Sequence, residues 1–234
     1  MSRVRTVLVV LLSVLLVILA IPLFLICALF RNRELPILFG KWGLKLVRPV
    51  LGIKIAVEGK QRFHRRSAYV FMSNHLSFLD GPLLVMLIPQ QIRVIMKKSI
   101  FGIPVLGPAM RFVGFVPVDR KRILGGKQSV DRAAALMRDR GYSYLIFPEG
   151  TRSRDGHMLP LRRGGFFLAL ESGAPIVPVH IRGTFELMPK GQWHARAGQI
   201  RVVFHDPIPV SGYRIETMPG LMEKVREAIA APDG

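Results

Sequence analysis

The chain has 234 residues, enough for one sizeable core plus an appendage, and its mean hydropathy of +0.34 is high for a soluble domain. A formal net charge of +19 calls for anionic partners, and without any DNA- or RNA-binding motif that charge points to an anionic membrane surface and away from nucleic acid. Cys27 is the one cysteine and lies inside an apolar run, which excludes an intrachain disulfide and a thiol nucleophile.

That run, TVLVVLLSVLLVILAIPLFLICALF over residues 6–30, carries no charge. As a helix it would extend about 37 Å, against a hydrocarbon core of about 30 Å. Arg3 and Arg5 precede it, and Arg31, Arg33, Lys41, Lys45 and Arg48 follow, so a spanning helix would leave its C-terminal side in the cytoplasm. Pro22 offers another arrangement, a break that leaves two shorter segments in one leaflet. A cleaved signal peptide fits less well, because the apolar region is too long and no small-x-small site follows. Residues 35–48 mix Leu, Phe and Trp42 with Lys and Arg, which suits either an interfacial segment or a helix packed on the domain.

Beyond Pro49, short apolar runs alternate with helical segments. Strands are expected at 53–57, 68–72, 92–96, 114–118, 142–147, 176–181 and 200–204. Helices are expected at 82–88, 104–112, 128–140, 164–171 with a stop at Gly173, and Met218–Ala230. The alternation predicts an α/β fold: a largely parallel central sheet flanked by helices, with the hydrophobic N-terminal helical segment as a membrane anchor.

His75 and Asp80 stand five residues apart in Ser73-Asn74-His75-Leu76-Ser77-Phe78-Leu79-Asp80. A regular helix would turn them about 140° apart, and a strand would set them on opposite faces. A turn between strand 68–72 and the next helix brings them together. Asp80 then accepts a hydrogen bond from one ring nitrogen and leaves the other to take a proton from a hydroxyl. Taken alone, the pair also reads as a structural histidine beside a helix-capping Asp. Ser77 lacks the G-x-S-x-G turn of an α/β hydrolase nucleophile.

Two more strands run into basic loops, GFVPVDRK at 114–121 and FPEGTRSR at 147–154. Gly150 lets the backbone approach a ligand, Thr151 can cap or donate, Arg152 can grip an anion through two parallel bonds, and Glu149 can orient an arginine. Ligands of open α/β sheets sit beyond the carboxyl ends of the strands. With parallel strands, His75, Arg120 and Arg152 share one rim, which suits a hydroxyl substrate carrying a phosphate. Gly125-Gly126-Lys127-Gln128 is no P-loop, and His64, His157, His180, His194 and His205 lack metal-ligand spacing, so no metal is expected.

Together these stretches resemble the glycerolipid acyltransferases. Asn74-His75 through Asp80 matches their N-H-x4-D block, 114–120 resembles the second block, FPEGTRS at 147–153 the third, and Ala174-Pro175-Ile176-Val177-Pro178-Val179 the fourth. The order is the family's, and the likeness is greatest to the bacterial 1-acyl-glycerol-3-phosphate acyltransferases. Val116-Pro117-Val118 departs from the commoner Phe-Ile step before Asp-Arg.

The resemblance implies that His75 is the base and Asp80 its partner. It implies that Arg120 and Arg152 hold the acceptor phosphate, with Glu149, Gly150 and Thr151 shaping that loop and Lys98 joining them. It implies transfer of a fatty acyl group from acyl-CoA or acyl-carrier protein to the 2-hydroxyl of lysophosphatidic acid, without a cofactor, giving phosphatidic acid for phospholipid synthesis. The expected organisation is an anchor and interfacial segment over 1–50 and an acyltransferase domain over 51–234. The expected location is a bacterial inner membrane, catalytic domain on the cytoplasmic side. Acylation of glycerol 3-phosphate or another lysophospholipid, and a non-catalytic adaptor for anionic lipid, are the alternatives.

Overall fold

A computed structural model describes residues 3–119, 123–192 and 194–231. Helix α1 (Arg3–Leu29) runs unbroken through Pro22, so the apolar run forms one long helix and not two short ones. Residues Val7–Leu29 are long and apolar enough to cross a membrane. Val7, Leu11, Val17 and Leu25 are each more than half exposed. Near its C-terminal end Cys27 is buried, and Phe24 meets Phe112 edge-on with ring centroids 5.2 Å apart.

Asn32 Oδ1 accepts the N–H groups of Glu34 and Leu35 and starts α2 (Leu35–Val50). This helix doubles back along α1, where Gly43 makes room: a Cβ there would come within 3.2 Å of Leu16. Two polar links fasten α2 to the rest of the domain, one to the strand Ile92–Lys97 and one to the end of the helix Asp80–Leu87. Glu34 pairs with the fully buried guanidinium of Arg93, which also stacks over Tyr142 at 3.8 Å. Lys41 Nζ donates to the Ile88 carbonyl at 2.7 Å, and burial pulls its pKa down to about 8. On the other side of α2, Leu38, Trp42 and Leu46 stay exposed. The segment thus packs on the domain by one face and leaves the other apolar and open.

The remaining elements follow in order: β1 (Ile53–Glu58), β2 (Val70–Ser73), α3 (Asp80–Leu87), β3 (Ile92–Lys97), a 3-10 turn (Lys98–Gly102), α4 (Leu106–Phe112), β4 (Val116–Val118), α5 (Ile123–Arg140), β5 (Ser143–Ile146), α6 (Gly164–Ser172), β6 (Ile176–Arg182), α7 (Thr184–Leu187), β7 (Gly198–Phe204) and α8 (Met218–Ala230). The strands form one seven-stranded sheet in the order β1-β7-β6-β2-β5-β3-β4. All neighbours are parallel except β6 and β7. Consequently β2 to β6 end at one edge, the edge on which the basic loops lie.

Side chains alternate across the sheet. Met72, Tyr144 and Ile146 join Phe166, Leu168, Leu221 and Val225 on the face covered by α5, α6 and α8. Phe71, Leu145 and Val177 join Leu84, Ile88 and Phe204 on the α3 face.

Several boundaries move. Helix α3 starts at Asp80, two residues before Pro82, so the proline sits inside the first turn where its missing N–H does no harm. Helix α5 takes in Gly125 and Gly126. Their helix penalty of about 1 kcal/mol each is overridden by packing against α6. Helix α4 starts only at Leu106, because Val105 adopts φ 64°, ψ −53°. The short α7 was not expected from the sequence.

The Glu34–Arg93 pair should carry much of the attachment of α2. Glu34→Ala leaves a charged guanidinium buried without its carboxylate. The denaturation midpoint in detergent should fall by an amount equivalent to about 3 kcal/mol. An unchanged midpoint would show that Arg93 does not depend on Glu34.

Candidate active site

The site is built on a turn that cannot be helical or extended throughout. Strand β2 ends at Ser73, and Asn74 continues its pairing by side chain: Nδ2 donates to the Ile181 carbonyl and Oδ1 accepts the Ile181 N–H, both at 2.8 Å. The backbone is thereby free to turn at His75. Three groups then converge on Asp80 Oδ2: His75 Nδ1 at 2.9 Å and the backbone N–H groups of Leu76 and Ser77 at 2.7 Å each. Asp80 is fully buried at the start of α3, where the helix end favours negative charge. The carboxylate folds residues 75–80 around itself and accepts a hydrogen bond from Nδ1–H, so Nε2 is left as the acceptor. Ser77 is spoken for, since its buried hydroxyl donates to the Met188 carbonyl at 2.7 Å.

The loop after β5 supplies the rest of the seat. The Phe147 ring stacks on the imidazole with centroids 4.0 Å apart and 17° between planes. Glu149 Oε1 accepts the His75 N–H at 2.6 Å, and the Ser153 N–H donates to the His75 carbonyl at 2.9 Å. Glu149 Oε2 accepts the Leu159 N–H at 2.8 Å. Both backbone groups of His75 are thus held by FPEGTRS. Glu149 is 2% exposed, and its pKa is pushed up to about 7, by burial first, against the two backbone hydrogen bonds.

Glu149 sits where it shapes the loop, as the resemblance implies: both of its oxygens point inward onto backbone N–H groups, and among the described residues neither accepts from an arginine. Gly150 takes a left-handed backbone conformation close to a side chain. Its φ is +76°, and a Cβ would come within 2.9 Å of Arg162 Cδ. Thr151 is exposed, and its Oγ1 accepts from Lys190 Nζ at 3.2 Å. The Arg152 guanidinium lies 5.8 Å from the Phe78 ring centroid, in a loop on the same sheet edge as His75. Lys98 opens the turn after β3 on the same sheet edge, outside the cavity described next. Arg120 lies outside the described residues.

His75 stands on the wall of a cavity of about 660 Å³ between the sheet and helices α5 and α6. Ile95, Val118, Val130, Ile146 and Phe167 make most of that wall apolar, and Arg162, Lys127, Asp131 and Glu171 also line it. Four site residues had no mark in the sequence reading: Phe147 as a stacking partner, Arg162, Lys190, and Asn74 as the bond that frees the turn. Arg162 follows FPEGTRS closely enough to have been suspected from its charge. Lys190 is brought in by α7, which no pattern announced.

A family model described as Acyltransferase matches residues 54–182, more than half of the chain and all of this geometry up to Arg182. The chain belongs to the acyltransferase family. Within that family it is 30% identical over 221 residues to human 1-acyl-sn-glycerol-3-phosphate acyltransferase alpha, covering 92% of this chain and 75% of that protein. It is 41% identical over 140 residues to the chloroplastic 1-acyl-sn-glycerol-3-phosphate acyltransferase BAT2 of Brassica napus, covering 59% of this chain and 40% of the relative. The enzyme of the same name from Limnanthes douglasii is 31% identical over 182 residues, covering 78% of this chain and 64% of the relative. The chain thus spans less than two thirds of these two plant relatives. The acyltransferase fold is shared with the crystal structure of the 1-acyl-sn-glycerophosphate acyltransferase PlsC from Thermotoga maritima, with TM-score 0.76, 24% identity, and 98% and 96% of the two chains covered.

The raised Glu149 pKa has a direction that can be measured. Between about pH 4.5 and about pH 7 the folded carboxyl keeps a proton that the unfolded chain releases, so its contribution to stability falls as pH rises through that window. Glu149→Gln removes the titration. The stability of the natural chain relative to this variant should therefore be greater at about pH 5 than at about pH 8. A difference that does not change with pH would contradict the shift.

Proposed function

We propose that this acyltransferase moves a fatty acyl group from acyl-CoA or acyl-carrier protein to the 2-hydroxyl of a 1-acyl-glycerol 3-phosphate, giving phosphatidic acid. The observation that supports this most is the imidazole whose Nδ1 is committed to buried Asp80 while the ring lines a largely apolar cavity. His75 Nε2 takes the hydroxyl proton as the oxygen attacks the thioester carbonyl carbon. The C–S bond breaks, and the leaving thiolate takes the proton back from the imidazolium. Asp80 and the face of Phe147 both favour the charged ring while it exists. No acyl-enzyme, metal or cofactor enters this scheme.

The acyl chain suits the apolar cavity beside His75, and the phosphate suits the arginines of the loops on the same sheet edge. Arg152 and Arg162 are the described candidates for a bidentate grip, with Lys190 beside them as a point charge and Arg120 and Lys98 carried over from the family pattern. Holding the phosphate fixes how far the hydroxyl reaches, and such positioning can remove several kcal/mol from a barrier. With α1 in the bilayer, acceptor and product need not leave the lipid phase. The basic residues after α1 favour the cytoplasmic face, here of a bacterial inner membrane.

Membranes or micelles holding the natural chain should acylate lysophosphatidic acid in preference to glycerol 3-phosphate or a choline-bearing lysolipid. His75→Ala should lower kcat by about 10²-fold or more. Arg152→Ala should instead raise KM for lysophosphatidic acid by about tenfold, with kcat less affected. Full turnover by His75→Ala, or stable acyl label on a side chain of the enzyme incubated with acyl donor alone, would sink the mechanism. Preference for an acceptor without phosphate would remove the arginines from it.

A further inference from the structure

The sheet edge that carries His75 also carries an apolar tip that the proposed chemistry does not use. Strand β3 runs parallel to β5, and β5 parallel to β2, so the segment leaving Lys97 starts on the same edge as His75. After the turn Lys98–Gly102, five residues in succession, Gly102-Ile103-Pro104-Val105-Leu106, are exposed. Ile103 is 47% exposed and Val105 74%.

The tip has a rigid base. Phe101 beneath it is buried, with the Arg111 guanidinium 5.6 Å from its ring centroid. Gly107 lies so close to Phe101 that a Cβ would stand 2.1 Å from its carbonyl oxygen. The Leu106 N–H donates to the Pro104 carbonyl at 2.7 Å and closes a three-residue γ-turn around Val105 at φ 64°. This turn is strained, and more so for a β-branched residue. The fold therefore holds an unfavourable backbone in order to present apolar side chains to solvent.

Three neighbours say what would cover them. Helix α4, which the tip begins, carries Phe112 at its other end, packed on Phe24 of the exposed apolar helix α1. Phe78, 62% exposed, projects from the loop between His75 and Asp80 on the same edge. Lys97, Lys98 and Arg111, all exposed, surround the base with positive charge. Apolar side chains at the tip with cations behind them fit an anionic lipid surface, chains first and headgroups second.

We propose that residues 102–106 are a second membrane contact, inserting at the boundary between headgroups and acyl chains, and that together with α1 they press the mouth of the His75 cavity against the bilayer. The insertion rests on the apolar character of α1 and the tip. Its purpose rests on the acyl transfer proposed above.

The test places a nitroxide at one cysteine at a time in a Cys27→Ala background of the full chain, reconstituted in vesicles of phosphatidylglycerol and phosphatidylcholine. Labels go on Ile103→Cys, on Val105→Cys, and on Asp139→Cys, which lies at the exposed end of α5 next to the opposite edge of the sheet. At 103 and 105 collisions with oxygen, which concentrates in lipid, should exceed those with an aqueous nickel chelate several-fold relative to the ratio at 139. Equal ratios at the tip and at 139, as expected if the tip faces water or a protein partner, overturn the proposal. If the tip inserts but the natural chain transfers no acyl group to lysophosphatidic acid, the membrane contact stands and the proposed chemistry falls.

Discussion

The site depends on how the backbone of His75 is held. Its N–H and its carbonyl are both bonded to one loop from another strand, through Glu149 and the Ser153 N–H, and its ring is fixed by Asp80 on one atom and Phe147 on one face. A lone imidazole on a turn would sample several rotamers. Here the backbone, the tautomer and the ring plane are each fixed by a different partner. The cost is a buried carboxylate at Glu149, whose charge is disfavoured by its surroundings. The fold tolerates it because the same carboxylate ties residues 75, 149 and 159 into one unit.

Sheet topology makes that seat possible. Strands β2 and β5 are neighbours and parallel, so the turns that follow them leave from the same edge a strand's width apart. The His75 loop and FPEGTRS then close on each other without long connections. Strand β6 lies on the other side of β2 and receives the Asn74 side chain. Beneath this, the Arg93–Glu34 and Lys41–Ile88 links fix α2, and through it the apolar helix, to β3 and the end of α3. The apolar helix is thus held at its inner end by polar contacts that tie its position to that of the sheet.

What the sequence reveals divides by range. Helix α8 is legible to the residue and α6 ends where Gly173 takes up φ +68°, because amphipathic period and helix-stop glycine are local signals. The His75–Asp80 meeting is legible because neither a helix nor a strand can produce it at that spacing. Long-range partnerships are not. Nothing near Glu34 announces a buried arginine 59 residues away, and nothing in FPEGTRS says that its glutamate turns inward while its phenylalanine covers an imidazole. Residue type gives the chemistry available at Glu149, and only packing decides which way the carboxylate faces. Val105 is hidden for a related reason, since a β-branched residue gives no warning of a positive φ.

The central claim is that Asp80 sets the His75 tautomer and leaves Nε2 as the base. Nitrogen NMR of imidazole-labelled chain in micelles tests it directly, at a pH where His75 is neutral. The account predicts a proton on Nδ1 and a bare Nε2, with that preference lost in Asp80→Asn. A neutral His75 protonated on Nε2 in the natural chain would contradict it.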